Sequence, residues 1–312
     1  MKIAIAVCTR ERPKMLKRQL EAVAGLELPP EVELDVVVVE NGPNPCSSGI
    51  VAAFEDRLSI EYHTEPRVGL VFARNHAVEK ALVTGADWIG FIDDDEQIDK
   101  NWIVAMVGAT QKFPKTRAFA GPVDRIDPET TTKWFPRHQK QIGKTGQRVW
   151  NVATGNVLFH RDVYADDRMG MRFDERFNLT GGEDLHLFLK MRQRGVDILW
   201  VQDAICTDYV SAERATLKTR VVRSIRYMHC LGILNQTLYG AIIGRVKNLL
   251  LSFKMLFHSV SYVSAGGLFY LFNRARGEKY LAVSLLRLSR SIGYLLAVFV
   301  PLSPVYAQVD GS

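Results

Sequence analysis

From residue 2 to about residue 201, short β-branched runs alternate with stretches of helical periodicity. Residues 3–7, 34–39, 59–62 and 88–92 read as strands, with the near-continuous apolar character of strands covered on both faces. Residues 13–24 and 69–82 predict helices between them. Helix 101–112, strand 118–123, strand 149–159, helix 183–194 and a last strand at 197–201 continue the series. Such alternation is the signature of an α/β fold built on a mostly parallel sheet flanked by helices. Residues 124–148 are rich in Pro, Thr, Lys and Gly and lack apolar periodicity, which predicts a long functional loop.

Beyond residue 213 the pattern changes. Leu217, Val221, Ile225 and Met228 share one helical face, with Arg220, Arg223 and Arg226 nearly opposite. Residues 249–272 are predominantly apolar but interrupted by Lys254, His258 and Gly266-Gly267. A further helix over 279–300 puts Leu281, Leu285, Leu288, Ile292 and Phe299 on one arc, and Tyr280, Ser284, Arg287, Ser291 and Tyr294 on the other. Neither segment is a clean apolar span of about 20 residues, so helices lying in a membrane interface, or a shallow hairpin, are expected. A helical bundle packed on the body is the alternative. The expected division is an α/β body over 1–212 and a basic amphipathic helical region, membrane-associating, over 213–312.

Charge sharpens that division. The 312 residues are 47% hydrophobic and 24% charged, a globular composition that excludes a disordered tail, a collagenous rod or a polytopic transporter. Residues 1–212 hold 27 Lys and Arg against 31 Asp and Glu, net −4, whereas residues 213–312 hold 13 against 3, net +10. Cys8, Cys46, Cys206 and Cys230 form no CxxC pair, so neither a disulfide framework nor a zinc ribbon is indicated, and reduced thiols in a cytosolic setting are expected. The apolar run at the N-terminus is too short for the core of a signal peptide.

Chemistry concentrates at Asp93-Asp94-Asp95-Glu96, four consecutive acids directly after an apolar strand. At the carboxyl end of a parallel strand they would face the crevice where ligands of open α/β sheets bind. Like charges gathered there call for a cation, and oxygen ligands suit a hard divalent ion; a solvated turn capping the next helix is the simpler reading. Cys8-Thr9-Arg10-Glu11-Arg12-Pro13 and Glu40-Asn41-Gly42 follow the first two strands and would reach the same edge. Gly69 opens a helix whose N-terminus and Arg74 would face a phosphate. Thr180-Gly181-Gly182-Glu183-Asp184 opens another, where the acids suit either a plain cap or an accessible site.

In this order the motifs resemble the inverting glycosyltransferases of family 2, with the nucleotide-diphospho-sugar (GT-A) fold. Gly121-Pro122-Val123 and Thr154-Gly155-Asn156 fall at the expected intervals, and the resemblance covers about residues 1–230. The combination of DDDE, GPV and GGED is most similar to bacterial exopolysaccharide glycosyltransferases of the succinoglycan glucosyltransferase type. The resemblance implies that Thr9, Arg12 and Glu40 surround the nucleobase and ribose, with Asp93 and Asp94 nearby and Arg74 towards the phosphates. Asp95 would hold Mn²⁺ or Mg²⁺, Asp184 would be the general base, Glu183 would sit beside the acceptor and Asn156 near the donor sugar.

Two departures stand out. Relatives often carry a histidine after the last strand; none stands in 204–209 here, and Asp208 or water would complete the metal's shell. The Gln-x-x-Arg-Trp signature of processive synthases is absent, so transfer of a single sugar is expected, with Arg220 or Arg223 adding charge over the diphosphate. The donor expected is a UDP-sugar, with UDP-glucose first. The acceptor expected is a polyprenyl-diphosphate-linked glycan, met by the 121–148 loop with Trp134, at the cytoplasmic face of the bacterial inner membrane. Two rivals remain: a non-catalytic nucleotide-sugar-binding membrane-docking module, and a basic tail that grips nucleic acid. The tail's Leu, Phe and Tyr content argues for an anionic membrane and against nucleic acid.

Overall fold

The computed structural model describes residues 1–128, 141–150, 152–178, 180–212 and 214–301. They fall in two compact units, one of residues 1–125 and 141–208, the other of residues 126–128 and 209–301.

The chain opens with β1 (Lys2–Thr9), α1 (Pro13–Ala24), β2 (Glu33–Asn41), α2 (Ser48–Ala52) and β3 (Ser59–Glu65). Then come α3 (Leu70–Val83), β4 (Trp88–Asp93), β5 (Glu96–Ile98), α4 (Trp102–Lys112), β6 (Ala118–Ala120) and β7 (Val123–Ile126). After these follow β8 (Arg148–Val149), β9 (Asn156–His160), α5 (Glu183–Gln193), β10 (Ile198–Trp200) and β11 (Cys206–Tyr209). Eight strands form one sheet in the order β3-β2-β1-β4-β9-β6-β10-β8, and β5-β11-β7 form a second, small sheet.

Alternation along β1 explains the layering. Ala4 and Ala6 join one core with Val71, Ala77, Val78 and Ala81 of α3, while Ile3, Ile5 and Val7 join another with Leu16 and Leu20 of α1 and Trp102 of α4. Every residue from Ile3 to Val7 is 0% exposed, as expected of a strand covered on both faces. Strands β1 to β4 pair in parallel, whereas β9 runs antiparallel to both β4 and β6. The sheet is therefore mixed, a large central sheet flanked by helices. The expected strand at 118–123 is broken at Gly121-Pro122, where proline has no N–H for a ladder. Residues 206–209 supply a strand beyond the one expected to be last.

In the second unit α6 (Leu217–Tyr239), α7 (Ala241–Phe272) and α8 (Arg274–Phe299) follow one another. Both α7 and α8 begin earlier than their apolar runs. Asn273 ends α7 and caps α8, its side chain accepting a hydrogen bond from Arg276 N.

Candidate active site

The carboxyl ends of β1 and β4 lie side by side, with Cys8 opposite Asp93. Thr9 Oγ1 donates to Asp94 Oδ2 at 2.7 Å, and Arg12 Nη1 donates to Asp94 Oδ1 at 3.1 Å. Between them Glu11 adopts φ 53°, a left-handed conformation uncommon outside glycine. Thr9, Arg12 and Asp94 thus form one bonded group across two strand ends. Burial pushes the Asp94 carboxyl up to about 6, against the opposing pull of Arg12 and Thr9.

Glu40, at the end of β2, is buried and accepts hydrogen bonds from Ser47 N at 2.8 Å, Cys46 N at 3.1 Å and Tyr62 Oη at 2.6 Å. Burial disfavours its charge, but Tyr62 and the two amides outweigh that and hold the carboxyl below its usual range. Its neighbour Asn41 accepts from Gly69 N at 2.8 Å and donates to Arg67 O at 2.7 Å, so β2 fixes the turn that opens α3. Gly69 has φ 139° and lies against the Asn178 side chain, which a Cβ would strike. Asn178 in turn donates to Val68 O and accepts from Val71 N.

Arg74, on the inner face of α3, joins the two acidic motifs. Its Nη1 donates to Glu183 Oε1 at 2.6 Å and its Nη2 to Asp93 Oδ1 at 3.3 Å. The Arg74 side chain is 5% exposed and serves as an internal bridge between the two motifs. Gly181 (φ 78°) and Gly182 (φ 92°) take left-handed conformations that turn the chain into α5, whose first two residues are Glu183 and Asp184. Asp184 Oδ1 accepts from Leu185 N at 2.7 Å. Burial pushes both carboxyls up, and the positive charge of Arg74 opposes it.

In the small sheet Asp208 of β11 pairs with Glu96 of β5. Glu96 Oε2 is buried without a hydrogen-bond partner, and burial followed by the charges of Asp93, Asp95 and Asp208 pushes its carboxyl well up. Arg125 Nε lies 3.2 Å from Asp208 Oδ2. Among the described residues no three His, Cys, Asp or Glu side chains converge as a metal-ligand set. The donors gathered here are all carboxylate oxygens in excess negative charge, including one orphaned oxygen, and in charge and type they fit a hard divalent cation.

Asn156 is tied to three other segments. It is 1% exposed, accepts from Trp102 Nε1 at 2.7 Å, and donates to Pro122 O at 2.9 Å and Ala204 O at 2.8 Å. Both amide protons are committed to the protein, so it clamps β9, α4 and two loops and has no proton to offer a sugar. Trp134 lies outside the described residues. Arg220 and Arg223 belong to the second unit, on α6, where Arg220 Nη2 donates to Asp127 Oδ1 at 2.8 Å. Sequence reasoning missed Asn178 and Trp102 altogether. Their partners lie 107 and 54 residues away, and no local spacing announces them.

Parallel strands ending on a shared acidic edge, with carboxylates of a later helix brought to it, define a nucleotide-diphospho-sugar type of α/β fold. The profile of Glycosyl transferase family 2 matches residues 4–168, and the chain belongs to that family. A comparison with curated proteins returned no match of significance. Among solved structures, S. aureus TarS 1-349 in complex with UDP-GlcNAc superposes with a TM-score of 0.55 at 15% identity, covering 72% of this chain and 66% of that one. This chain thus spans less than two thirds of that protein, and 43% of a longer TarS structure. Mannosyltransferase PcManGT from Pyrobaculum calidifontis, in complex with GDP-Man and Mn²⁺, superposes with a TM-score of 0.58 at 14% identity, covering 95% and 87%. GalNAc-T7 with UDP, GalNAc and Mn²⁺ gives 0.55 at 18%, covering 74% and 51%. At these identities the likeness is one of fold.

Proposed function

We propose that this chain transfers a single sugar, with inversion, from a nucleotide diphosphate donor to a polyprenyl-diphosphate-linked glycan at the cytoplasmic face of a bacterial membrane, in exopolysaccharide or surface polysaccharide synthesis. The observation that carries the reading is Arg74. One guanidinium touches Asp93, on the edge where a donor would lie, and Glu183, next to the proposed base, so donor and acceptor chemistry come within one side chain's reach.

Inversion requires the acceptor hydroxyl to attack the anomeric carbon from the face opposite the nucleotide. Asp184 takes the hydroxyl proton, and Glu183, held by Arg74, orients the acceptor. Thr9, Arg12, Asp94 and Glu40 hold the nucleoside end, with their own bonds fixing them beforehand. Asp95 and Asp208, beside Glu96, would hold Mn²⁺ or Mg²⁺, which when bound supplies Lewis-acid stabilisation of the departing diphosphate. Neighbours of the same fold carry UDP-GlcNAc, or GDP-Man with Mn²⁺, which favours a nucleotide-sugar donor and a divalent ion here. A UDP-sugar, UDP-glucose first, is the donor that the succinoglycan-type resemblance favours.

The basic helical unit favours a membrane, where a lipid-linked acceptor has its head. The decisive experiment is a panel of UDP, GDP and dTDP sugars with membrane lipid extract as acceptor, reading nucleoside diphosphate release with and without Mn²⁺. Release from one donor is expected. Release from none would leave a non-catalytic binding module.

A further inference from the structure

The second unit is built inside out for a water-soluble bundle. The buried residues of α7 are Gly244, Asn248, Ser252, Ser259 and Gly266, and those of α8 are likewise Gly, Ala and Ser. Two serine pairs lock the helices: Ser252 with Ser291 and Ser259 with Ser284, each Oγ to Oγ at 2.9 Å. Large apolar side chains lie outside instead, with Ile242 79%, Leu250 66%, Phe253 66% and Phe257 71% exposed. Only 11% of the most apolar 18-residue window of α7 is buried, so it is not the core helix of a soluble protein. Small residues at the contact and hydroxyl bonds between helices are the way helices associate where lipid surrounds them.

Charge decides how such a hairpin sits. Helices α7 and α8 carry eight Lys and Arg and a single acid, Glu278, which pairs with Arg274 at the turn. The Ser252–Ser291 pair sets Lys254, Arg287 and Arg290 at one level, and Arg287 Nη1 lies 3.7 Å from Met255 Sδ. That level is the middle of α7, where a crossing hairpin would put three unneutralised cations at the centre of the bilayer.

Helical phase resolves the conflict. At about 100° per residue, Leu281, Leu288, Ile292, Leu295 and Phe299 fall within about 60° of one another, with Arg287 and Arg290 on the far side. The exposed apolar residues of α7 spread more widely, over about 180° from Val263 round to Phe272, and Lys254 lies at the outer edge of that spread. Counted outward from the serine edge, Leu256, Val260 and Val263 of α7 turn in the same sense as the apolar arc of α8, and Arg287 and Arg290 turn in the opposite sense. In an antiparallel pair this puts those apolar side chains on one side of the hairpin and Arg287 and Arg290 on the other, with Lys254 at its lateral edge.

We propose that α7 and α8 form a serine-locked raft that lies flat in one leaflet of an anionic bilayer, apolar side in the acyl chains, without crossing it. The proposal rests on the membrane reading above and adds how the chain is seated. The turn at Asn273 therefore stays on the side from which the protein arrived.

The test uses the full chain with Cys46→Ser, which removes the exposed thiol, and Arg276→Cys at the turn. The protein is added outside sealed vesicles of phosphatidylcholine and phosphatidylglycerol, floated, and treated with a membrane-impermeant maleimide; the Cys46→Ser protein alone gives the background. A flat raft labels residue 276 equally with and without detergent. Labelling only after detergent means a crossing hairpin and overturns the proposal. Failure to float at all overturns the membrane reading itself, as does a stable dimer in solution that does not float. Leu288→Glu, with helicity retained by circular dichroism, is expected to release the protein from the vesicles, whereas the Ser252→Cys/Ser291→Cys cross-link leaves flotation unchanged. Loss of flotation on cross-linking would also overturn the raft.

Discussion

Asp208 stands directly across from Glu96 in the small sheet, so two carboxylates face one another over a single strand pair, with Arg125 Nε 3.2 Å from Asp208 Oδ2. Like charges directly opposite in a sheet are unfavourable. Glu96→Gln removes one of them, and at pH 8 it should stabilise the cation-free protein by up to about 1 kcal/mol in urea unfolding. The same variant should weaken the rise in melting temperature that Mn²⁺ gives. A variant less stable than the parent without metal would show that Glu96 is held by something other than a cation.

The carboxyl of Asp184 is pushed above the ordinary aspartate range by burial, with the positive charge of Arg74 opposing. As the proposed base, it must be ionised to act, so turnover should fall as pH drops through that raised value. The acidic limb of the kcat profile should therefore lie above the usual aspartate range. A rate that stays flat down to pH 4 would contradict the assignment. Asp184→Asn should abolish transfer while donor binding, read by calorimetry, is retained.

Removing Arg74 strands two partners at once. Arg74→Met leaves Glu183 buried without its 2.6 Å bond and frees Asp93 of its 3.3 Å contact. Breaking one side of a buried pair typically costs about 3–5 kcal/mol, and a loss of that order is expected in denaturant unfolding. A change below about 1 kcal/mol, the range of exposed pairs, would mean that water reaches the bridge.

Asn156→Asp keeps the shape but turns the donor amide into an acceptor facing the carbonyls of Pro122 and Ala204. An acceptor against two buried acceptors should destabilise the fold by about 1–3 kcal/mol or more. A sugar-contacting residue would instead raise the donor KM and leave the unfolding midpoint in place. Measuring both separates the clamp from the contact.

Legibility followed the source of stabilisation. The β1 and β4 runs were readable because burial on both faces writes itself as apolar sequence, and α3 because it follows a glycine turn. Glu96-Gln97-Ile98 and Cys206 to Tyr209 carry no such pattern; their strands are held by backbone pairing with one another. Glu183 and Asp93 were identified separately, but only Arg74 in three dimensions shows that they meet. The ties of Asn156 to Trp102, Pro122 and Ala204 do not show in Thr154-Gly155-Asn156, because glycine and asparagine look alike whether they greet a ligand or tie segments together. The serine pairs of α7 and α8 were hidden for the opposite reason, since an exposed serine and one bonded across a helix contact are the same letter.

One bond at the sheet edge has a bearing on how this chain can vary. Gly121 N donates to Asn156 O at 3.1 Å, tying the end of β6 to the start of the antiparallel β9. Between these residues the chain gives β7 to the small sheet, beside the strand that carries Asp208, and β8 to the edge of the large one. Length can vary at small entropic cost between β7 and β8, whereas a change before Ile126 would disturb the strand that holds a proposed cation ligand.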